Sequence, residues 1–461
     1  MSSILDRSKA PSPSLKNAFT PPPFLEYFLQ NGSRVIFQQK LGLPITVVTF
    51  IVEAGTKYDP QGGEGLAQLT ASLLDEGAGE WDALQLNALL ESRGLSLSVM
   101  AGNDDFEVSI SGLSEDVDLM MKIVSEVVYD PHFKLEDFER EQDKIRNGIQ
   151  QSKNQPQAMA WKLFGKIVQG RPNAYTSVGA TEESIEEMTL SDVTFFHSER
   201  IEPTKPTFTI VTNLDYSKIE ASIETHFKGR LGVHEAEKVD TAYALRDLRI
   251  FILDRKDAPQ TEILGGFPMD PIKLDDTDLA ISLVNNIFGG HFNSRLIKNL
   301  REEKGYTYGI HSFMLMNRQS GQYMVSTSVD TQNTGAALLE ILKEMNLIRK
   351  EISEEELTFV KNQSTKSETF MFETYGMISA LQRSIVQRDL PLDYFSVSRK
   401  RYNDITLDDA ITSANKFLLL ENMQIILVGD LEEIVKTIPN PLLRGVVEVN
   451  DNGKVILREQ Q

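Results

Sequence analysis

The sequence predicts an α+β fold of two tandem homologous domains, each an antiparallel-rich sheet covered by helices. Three observations predict it. The chain has 461 residues, too many for one ordinary core. In each half, β-branched runs come first, long amphipathic stretches follow, and one closing run ends the half. The order then repeats, at a separation of about 211 to 217 residues. Thr189-Leu190-Ser191-Asp192 before the strand at 208–211 answers to Thr406-Leu407-Asp408-Asp409 before the strand at 423–428. Likewise 86–99 answers to 297–310. Such a period is too long for a solenoid.

The elements follow in order. Asn31-Gly32 between apolar runs signals a hairpin. The run 45–52 reads as a central strand. Gly62, Gly63 and Gly65 lack the Lys-Ser/Thr of a phosphate loop, so they simply lead into a helix at 66–76. A helix at 81–92 stops at Gly94, strands follow at 96–100 and 106–111, then helices at 117–129 and 135–151. Asn154-Gln155-Pro156 breaks the last of these before another helix at 158–168. Periodicity is lost and charge accumulates near 231–247. The expected layout is therefore a flexible tail at 1–23, a first domain at 24–230, a linker at 231–247 and a second domain at 248–461. In the second domain, strands are expected at 248–253, 261–267, 322–329 and 423–428. Helices are expected at 279–288, 334–350, 354–387 (interrupted near Tyr375-Gly376) and 407–418.

Composition narrows the function. The formal charge of −20 argues against nucleic acid and anionic membranes. With no cysteine, disulfides, thiolate zinc sites and cysteine nucleophiles are excluded. Residues 1–23 hold five prolines and no apolar run, so they read as neither signal peptide nor membrane span. A cytoplasmic location is expected.

One stretch stands out, 293–310. Asn293 or Ser294 can cap a helix whose stripe is Leu296, Ile297 and Leu300, and Gly305 ends it in a left-handed turn. Tyr306, Tyr308 and Ile310 then fall on one face of a predicted strand. Arg301 on the last helical turn and Tyr308 on the strand can jointly grip a carbonyl or oxyanion. They can equally be a surface arginine and a half-buried tyrosine, and the motif alone does not choose.

Further segments carry a resemblance. Glu53-Ala54-Gly55-Thr56-Lys57-Tyr58-Asp59-Pro60 with Gly65-Leu66-Ala67, Asn154-Gln155-Pro156, Gly179-Ala180-Thr181-Glu182-Glu183-Ser184-Ile185 and the 294–308 run resemble the M16 (pitrilysin-type) metallopeptidases over roughly 24–431. In size the chain resembles the subunits of mitochondrial processing peptidase and their two-subunit bacterial relatives. Active members carry H-x-x-E-H on the helix after Gly-Leu-Ala. Positions i and i+4 share a helix face, so two imidazoles can hold one zinc beside a glutamate base. The matching positions here are Gln68, Ala71 and Ser72. The family's third ligand aligns with Gly148, while Glu141, a supporting carboxylate, is kept. The resemblance therefore implies no zinc or other cofactor in this chain.

No other set of side chains takes over. Of the six histidines, His132, His197, His226, His234, His291 and His311, none are spaced i and i+4. His132 and His197 read as structural, and only His291 and His311 flank a common stretch. Ser72 has no nearby histidine base. The acidic runs at 275–278 and 353–356 suit helix starts, and Asp104-Asp105 suits a hairpin turn.

The resemblance implies a role for the second half. The family's Arg and Tyr lie seven positions apart, as Arg301 and Tyr308 do. In two-subunit members the pair serves the partner's active site. Arg301 would contact a substrate carbonyl and Tyr308 the tetrahedral oxyanion, with the share of Tyr306 left open. The expectation is a zinc-less subunit of a heterodimeric peptidase, partnered by an H-x-x-E-H subunit and closing as a clamshell on an extended peptide. The alternatives are a non-catalytic scaffold, as in the core subunits of respiratory complexes, and a peptide-binding homodimer.

Overall fold

The computed structural model describes residue 19 and residues 21–176 and 179–456; nearly all of the predicted N-terminal tail lies outside them. Two six-stranded sheets form the frame. In the first the order is Leu25–Phe28, Arg34–Gln39, Thr207–Thr212, Ile45–Val52, Phe106–Leu113, Ser96–Ala101. In the second it is Val446–Val449, Arg249–Asp254, Gln424–Gly429, Gln260–Met269, Gly321–Asp330, Ile310–Met316. From the second strand inward the two lists correspond one to one. Most pairings are antiparallel. The closing strand of each half instead runs parallel to that half's first long strand, Thr207–Thr212 beside Arg34–Gln39 and Gln424–Gly429 beside Arg249–Asp254.

Local chemistry sets the element ends. Gly32 turns the first hairpin at φ 82°. Asp82 caps helix Ala83–Arg93 in a capping box with Gln85, and Thr189 and Thr406 do the same with Asp192 and Asp409. Pro156 sits in the first turn of helix Pro156–Val168, where its missing N–H costs nothing. Thr374 starts helix Tyr375–Gln387 after helix Glu354–Met371 ends, which is the interruption expected near Tyr375. Helices Tyr216–His226 and Tyr394–Asp404 and strand Val446–Val449 were not anticipated. Residues 231–247 contain neither helix nor named strand.

The halves are interlocked. Helix Pro156–Val168 leaves the first half and lies on the second sheet, with Met159, Leu163, Phe164 and Val168 in one buried cluster with Leu264, Met324 and Ile426. Helix Tyr375–Gln387 does the reverse, covering strands Ile45–Val52 and Thr207–Thr212. Its Tyr375 hydroxyl donates to the carbonyls of Lys40 and Leu43, and the Gln382 amide to that of Ile210. Each sheet is thus covered on one face by its own helices and on the other by a helix from the opposite half. Among the described residues no helix is long and apolar enough to cross a membrane.

Candidate functional site

Helix Leu66–Leu74 carries three of the four degenerate zinc positions. Its start is held by Asp59, whose carboxylate accepts from the N–H groups of Gly65 and Ala67, both at 2.8 Å. Burial pushes the Asp59 carboxyl up to about 7, against the pull of these two donors. Gly65 has φ 98° and lies so close to Ala180 that a Cβ would fall 2.5 Å from the Ala180 methyl. Only glycine fits there. This explains why Gly65-Leu66-Ala67 and Gly179-Ala180 occur together. Across the helix, Leu66, Leu69 and Leu73 face the core. Ala71 is buried, and the Ser72 hydroxyl bonds back to the Leu69 carbonyl at 3.0 Å.

Gln68 and Gly148 line one cavity of about 620 Å³. Its walls come from helices Leu66–Leu74, Leu135–Lys153 and Pro156–Val168 and from the second sheet through Leu315 and Gln322. Glu141 is buried below it, 3.1 Å from Lys144. Among the described residues no carboxylate or imidazole lines the cavity. Among the described residues no three His, Asp or Glu side chains gather as a metal site.

Beside the cavity the halves are joined by charge. The turn Asn317-Arg318-Gln319-Ser320 of the second sheet enters the first half. The Arg318 guanidinium meets Glu53 and, at 2.7 Å, Asp105, and the backbone N–H of Arg318 donates to Asp104 at 2.8 Å. Lys57 bridges Glu53 and Asp104, the Tyr175 hydroxyl donates to Asp104, and Arg383 reaches Glu107 from the exchanged helix. Four carboxylates thus face three cations. Burial, with the fields of Asp104, Glu107 and Glu53, pushes the Asp105 carboxyl up to about 7 despite Arg318. Asp104-Asp105 does sit in a hairpin turn, as its composition predicts, but both carboxylates are buried and tie the halves together.

The 293–310 stretch differs from its prediction in one informative way. The helix forms, with Ser294 accepting from the Ile297 N–H at 3.4 Å, but from Ile297 to Glu303 it is a wider π-helix. Arg295 pins it through a fork to Glu356, and Asn299 donates to Glu340 and Glu344. Burial alone would raise the Glu356 carboxyl; the Arg295 fork and the Ser353 N–H hold it down at about 2. Gly305 ends the helix at φ 64°, matching Gly94 at φ 63° in the first half. The strand then begins only at Ile310. Tyr306 and Tyr308 are therefore not partners on a strand face. They lie in a tight turn that the first half lacks. Tyr306 packs half-buried on the second core, whereas Tyr308 is 94% exposed. The turn is stapled by Thr307, whose buried hydroxyl bonds Gly309 at its carbonyl and N–H and accepts from Thr327. The exposed Arg301 guanidinium lies 5.0 Å above the Phe292 ring. Neither Arg301 nor Tyr308 lines the cavity holding Gln68 and Gly148.

The histidines are placed apart. His197 is buried with its Nε2 2.7 Å from the Val128 carbonyl, and burial lowers its pKa. His132 bonds the Gly79 carbonyl at 2.9 Å. His291 lines a separate pocket of about 360 Å³ against Phe359, and His311 does not line it.

Comparison with known proteins decides the family. A sequence model described as Insulinase (Peptidase family M16) matches residues 34–175, and one described as the peptidase M16 inactive domain matches 187–364. The chain belongs to peptidase family M16. Among M16-like relatives, an uncharacterized zinc protease of Mycobacterium leprae is 24% identical over 64% of this chain and 67% of its own. The non-peptidase homolog YmxG of Helicobacter pylori is 25% identical over 78% of this chain and 83% of its own. The solved peptidase M16 inactive domain from Pseudomonas fluorescens superimposes with a TM-score of 0.81 at 22% identity, covering 88% of this chain and 98% of that one. These last two shares and the score establish the fold.

The M16 zinc can be tested against the side chains present. Gln68 offers a neutral amide, Ala71 a buried methyl, Ser72 a hydroxyl already committed to its own helix, and Gly148 nothing. These residues do not fit zinc.

Sequence reasoning missed two features. The Asp104–Arg318–Glu53 junction joins residues far apart in the chain and leaves no local signal. Lys162, on the cavity wall, had one: it shares a helix face with Ala158, Trp161 and Gly165, all of which line the cavity.

Proposed function

We propose that this chain is the zinc-less subunit of a heterodimeric M16 metallopeptidase. It forms half of a clamshell peptide chamber and supplies Arg301 and Tyr308 to the zinc site of an H-x-x-E-H-bearing partner. The observation that carries this reading is the presentation of Tyr308. Its ring is 94% exposed on a segment that Thr307 ties down by hydrogen bonds, and Arg301, also exposed, lies seven residues earlier on a helix anchored by Arg295 and Asn299. A chain has no folding use for a large ring held out in water. A partner's oxyanion does have a use for a phenol donor. The chain's own Gln68, Ala71, Ser72 and Gly148 leave the pair without a resident metal to serve.

The test mixes this chain with an H-x-x-E-H M16 subunit and measures peptide turnover. Arg301→Ala and Tyr308→Phe should each lower kcat by roughly 10²–10³ while the heterodimer still forms. Unchanged turnover in both variants would refute the reading. The chain alone should cleave no peptide and hold no stoichiometric zinc. A second reading, a non-catalytic scaffold or peptide-binding subunit, is favoured by the likeness to the Helicobacter non-peptidase homolog. On that reading both substitutions are silent.

A further inference from the structure

The cavity that lacks zinc donors is not featureless. Along helix Pro156–Val168, Ala158, Trp161, Lys162 and Gly165 face it. The Trp161 ring is stacked on Phe313 of the second sheet, with centroids 5.7 Å apart and planes 25° from parallel. Lys162 is half-buried and, among the described residues, has no ion-pair or hydrogen-bond partner. The carboxylates whose fields reach it are already committed, Glu182 to Lys153 at 2.5 Å and Asp451 to Arg255 at 3.3 Å. Burial, with the fields of Lys166 and Lys153, lowers the Lys162 pKa. Gln68, on the opposite wall, is exposed to the cavity, and its amide makes no side-chain hydrogen bond among the described residues.

The electrostatics are unusual for this molecule. In a chain of net charge −20, Lys162 is the one charged side chain among the described residues that line this cavity. An unpaired, partly desolvated ammonium in a concave site is stabilised by an incoming anion. The volume of about 620 Å³ suits a short stretch of peptide. An aromatic pair beside the cation offers apolar contact for a neighbouring side chain.

We propose that this cavity binds a peptide carboxylate, with Lys162 receiving the anion, the Gln68 amide donating to it or to the adjacent backbone, and the Trp161–Phe313 wall packing the flanking apolar side chain. The site needs no metal and no partner chain. It therefore stands independently of the role proposed for Arg301 and Tyr308.

The chain has two tryptophans, Trp81 and Trp161, so in a Trp81→Phe background the intrinsic fluorescence reports the cavity. The full chain, without any partner, is titrated with three short peptides ending in leucine. One has a blocked N-terminus and a free C-terminal carboxylate. The second is the same peptide as its C-terminal amide. The third is blocked at both ends and carries an internal aspartate. At least one acidic peptide should bind about tenfold tighter than the neutral amide. Preference for the free terminus identifies a chain end as the ligand, and preference for the aspartate identifies an acidic side chain. Lys162→Gln should remove the difference, and Lys162→Arg should keep most of it. Far-ultraviolet circular dichroism confirms that both variants are folded. Equal binding of all three peptides, no saturable binding of any, or a preference that survives Lys162→Gln would overturn the proposal. Because no partner is present, none of these outcomes bears on the turnover test, and a silent Arg301→Ala leaves this site standing.

Discussion

The two halves share five strands in the same order and differ most where the chain passes from a helix into the edge strand. In the first half, Gly94 caps the helix and strand Ser96–Ala101 begins two residues later. In the second, Gly305 caps the helix in the same left-handed conformation, but strand Ile310–Met316 starts five residues later. The capping glycines, at 94 and 305, are four residues closer in register than the strand ends, at 101 and 316. Three of the four lie between glycine and strand, where Leu95 alone is answered by residues 306–309, and the fourth lies in the longer strand; the longer connection carries the exposed Tyr308. Helix Leu66–Leu74 of the first half is buried and capped, yet it carries no zinc donor. Duplication supplied two equal frames. One half brings Gln68 and Gly148 to a cavity and the other presents an exposed ring, so structural equivalence between the halves does not extend to their chemistry.

The sharpest way to break this comparison is to separate the halves. Arg318 is the one side chain of the second sheet's turn that meets both Glu53 and Asp105 in the first half. Arg318→Ala leaves buried Asp105 and half-buried Glu53 short of a cation and should cost about 3–5 kcal/mol in urea unfolding. A loss below about 1 kcal/mol would place the cluster with ordinary surface pairs. Next in size are Arg301→Ala and Tyr308→Phe in a heterodimer. Each should lower kcat by roughly 10²–10³ with folding unaffected. The first-half position matching Arg301 is Leu90, likewise four residues before the capping glycine, and Leu90→Ala should instead affect stability, because Leu90 is buried.

A smaller effect follows from the excess carboxylate at the junction. Asp105 is pushed up to about 7, from an unfolded value near 4. Between about pH 4 and 7 the folded chain therefore binds a proton that the unfolded chain has released. The contribution of this group is fully present below pH 4 and is lost as the pH rises toward 7. The slope is at most about 1.4 kcal/mol per pH unit. Asp105→Asn removes it, so the stability difference between variant and wild type should shift in the variant's favour from pH 5 to pH 7. A pH-independent difference would assign the proton elsewhere.

Much of the frame was legible in the sequence because it is local. Thr189 and Thr406 announce helix starts, Gly94 and Gly305 announce stops, and Pro156 marks a break. The duplicated order yielded two domains of one architecture. Periodicity did not say which sheet a helix covers, so the exchange of helices Pro156–Val168 and Tyr375–Gln387 was invisible. It also placed Tyr306 and Tyr308 on one strand face, because apolar residues two apart look the same in a strand and in a tight turn. The Thr307 hydrogen bonds, to Gly309 and across 20 residues to Thr327, mark the turn. For Asp104-Asp105 the turn itself was readable, but the partner Arg318 is more than 200 residues away.

The smallest expected effect tests that turn directly. The Thr307 hydroxyl makes three hydrogen bonds that tie Gly309 and Thr327 to the segment carrying Tyr308, yet its side chain touches no reacting group on any reading above. Thr307→Val keeps the shape and β-branching and removes only the hydroxyl. The fold should lose about 1 kcal/mol. If Thr307 positions Tyr308, turnover of the heterodimer should fall in kcat with KM little changed, since a misplaced oxyanion donor weakens the transition state more than the bound substrate. Thr307→Ser, which restores the hydroxyl, should recover most of kcat. A variant that loses stability but keeps kcat would make the staple a folding device alone. The longer connection at 306–309 would then be a tolerated insertion, and the orientation of Tyr308 would have to come from the partner.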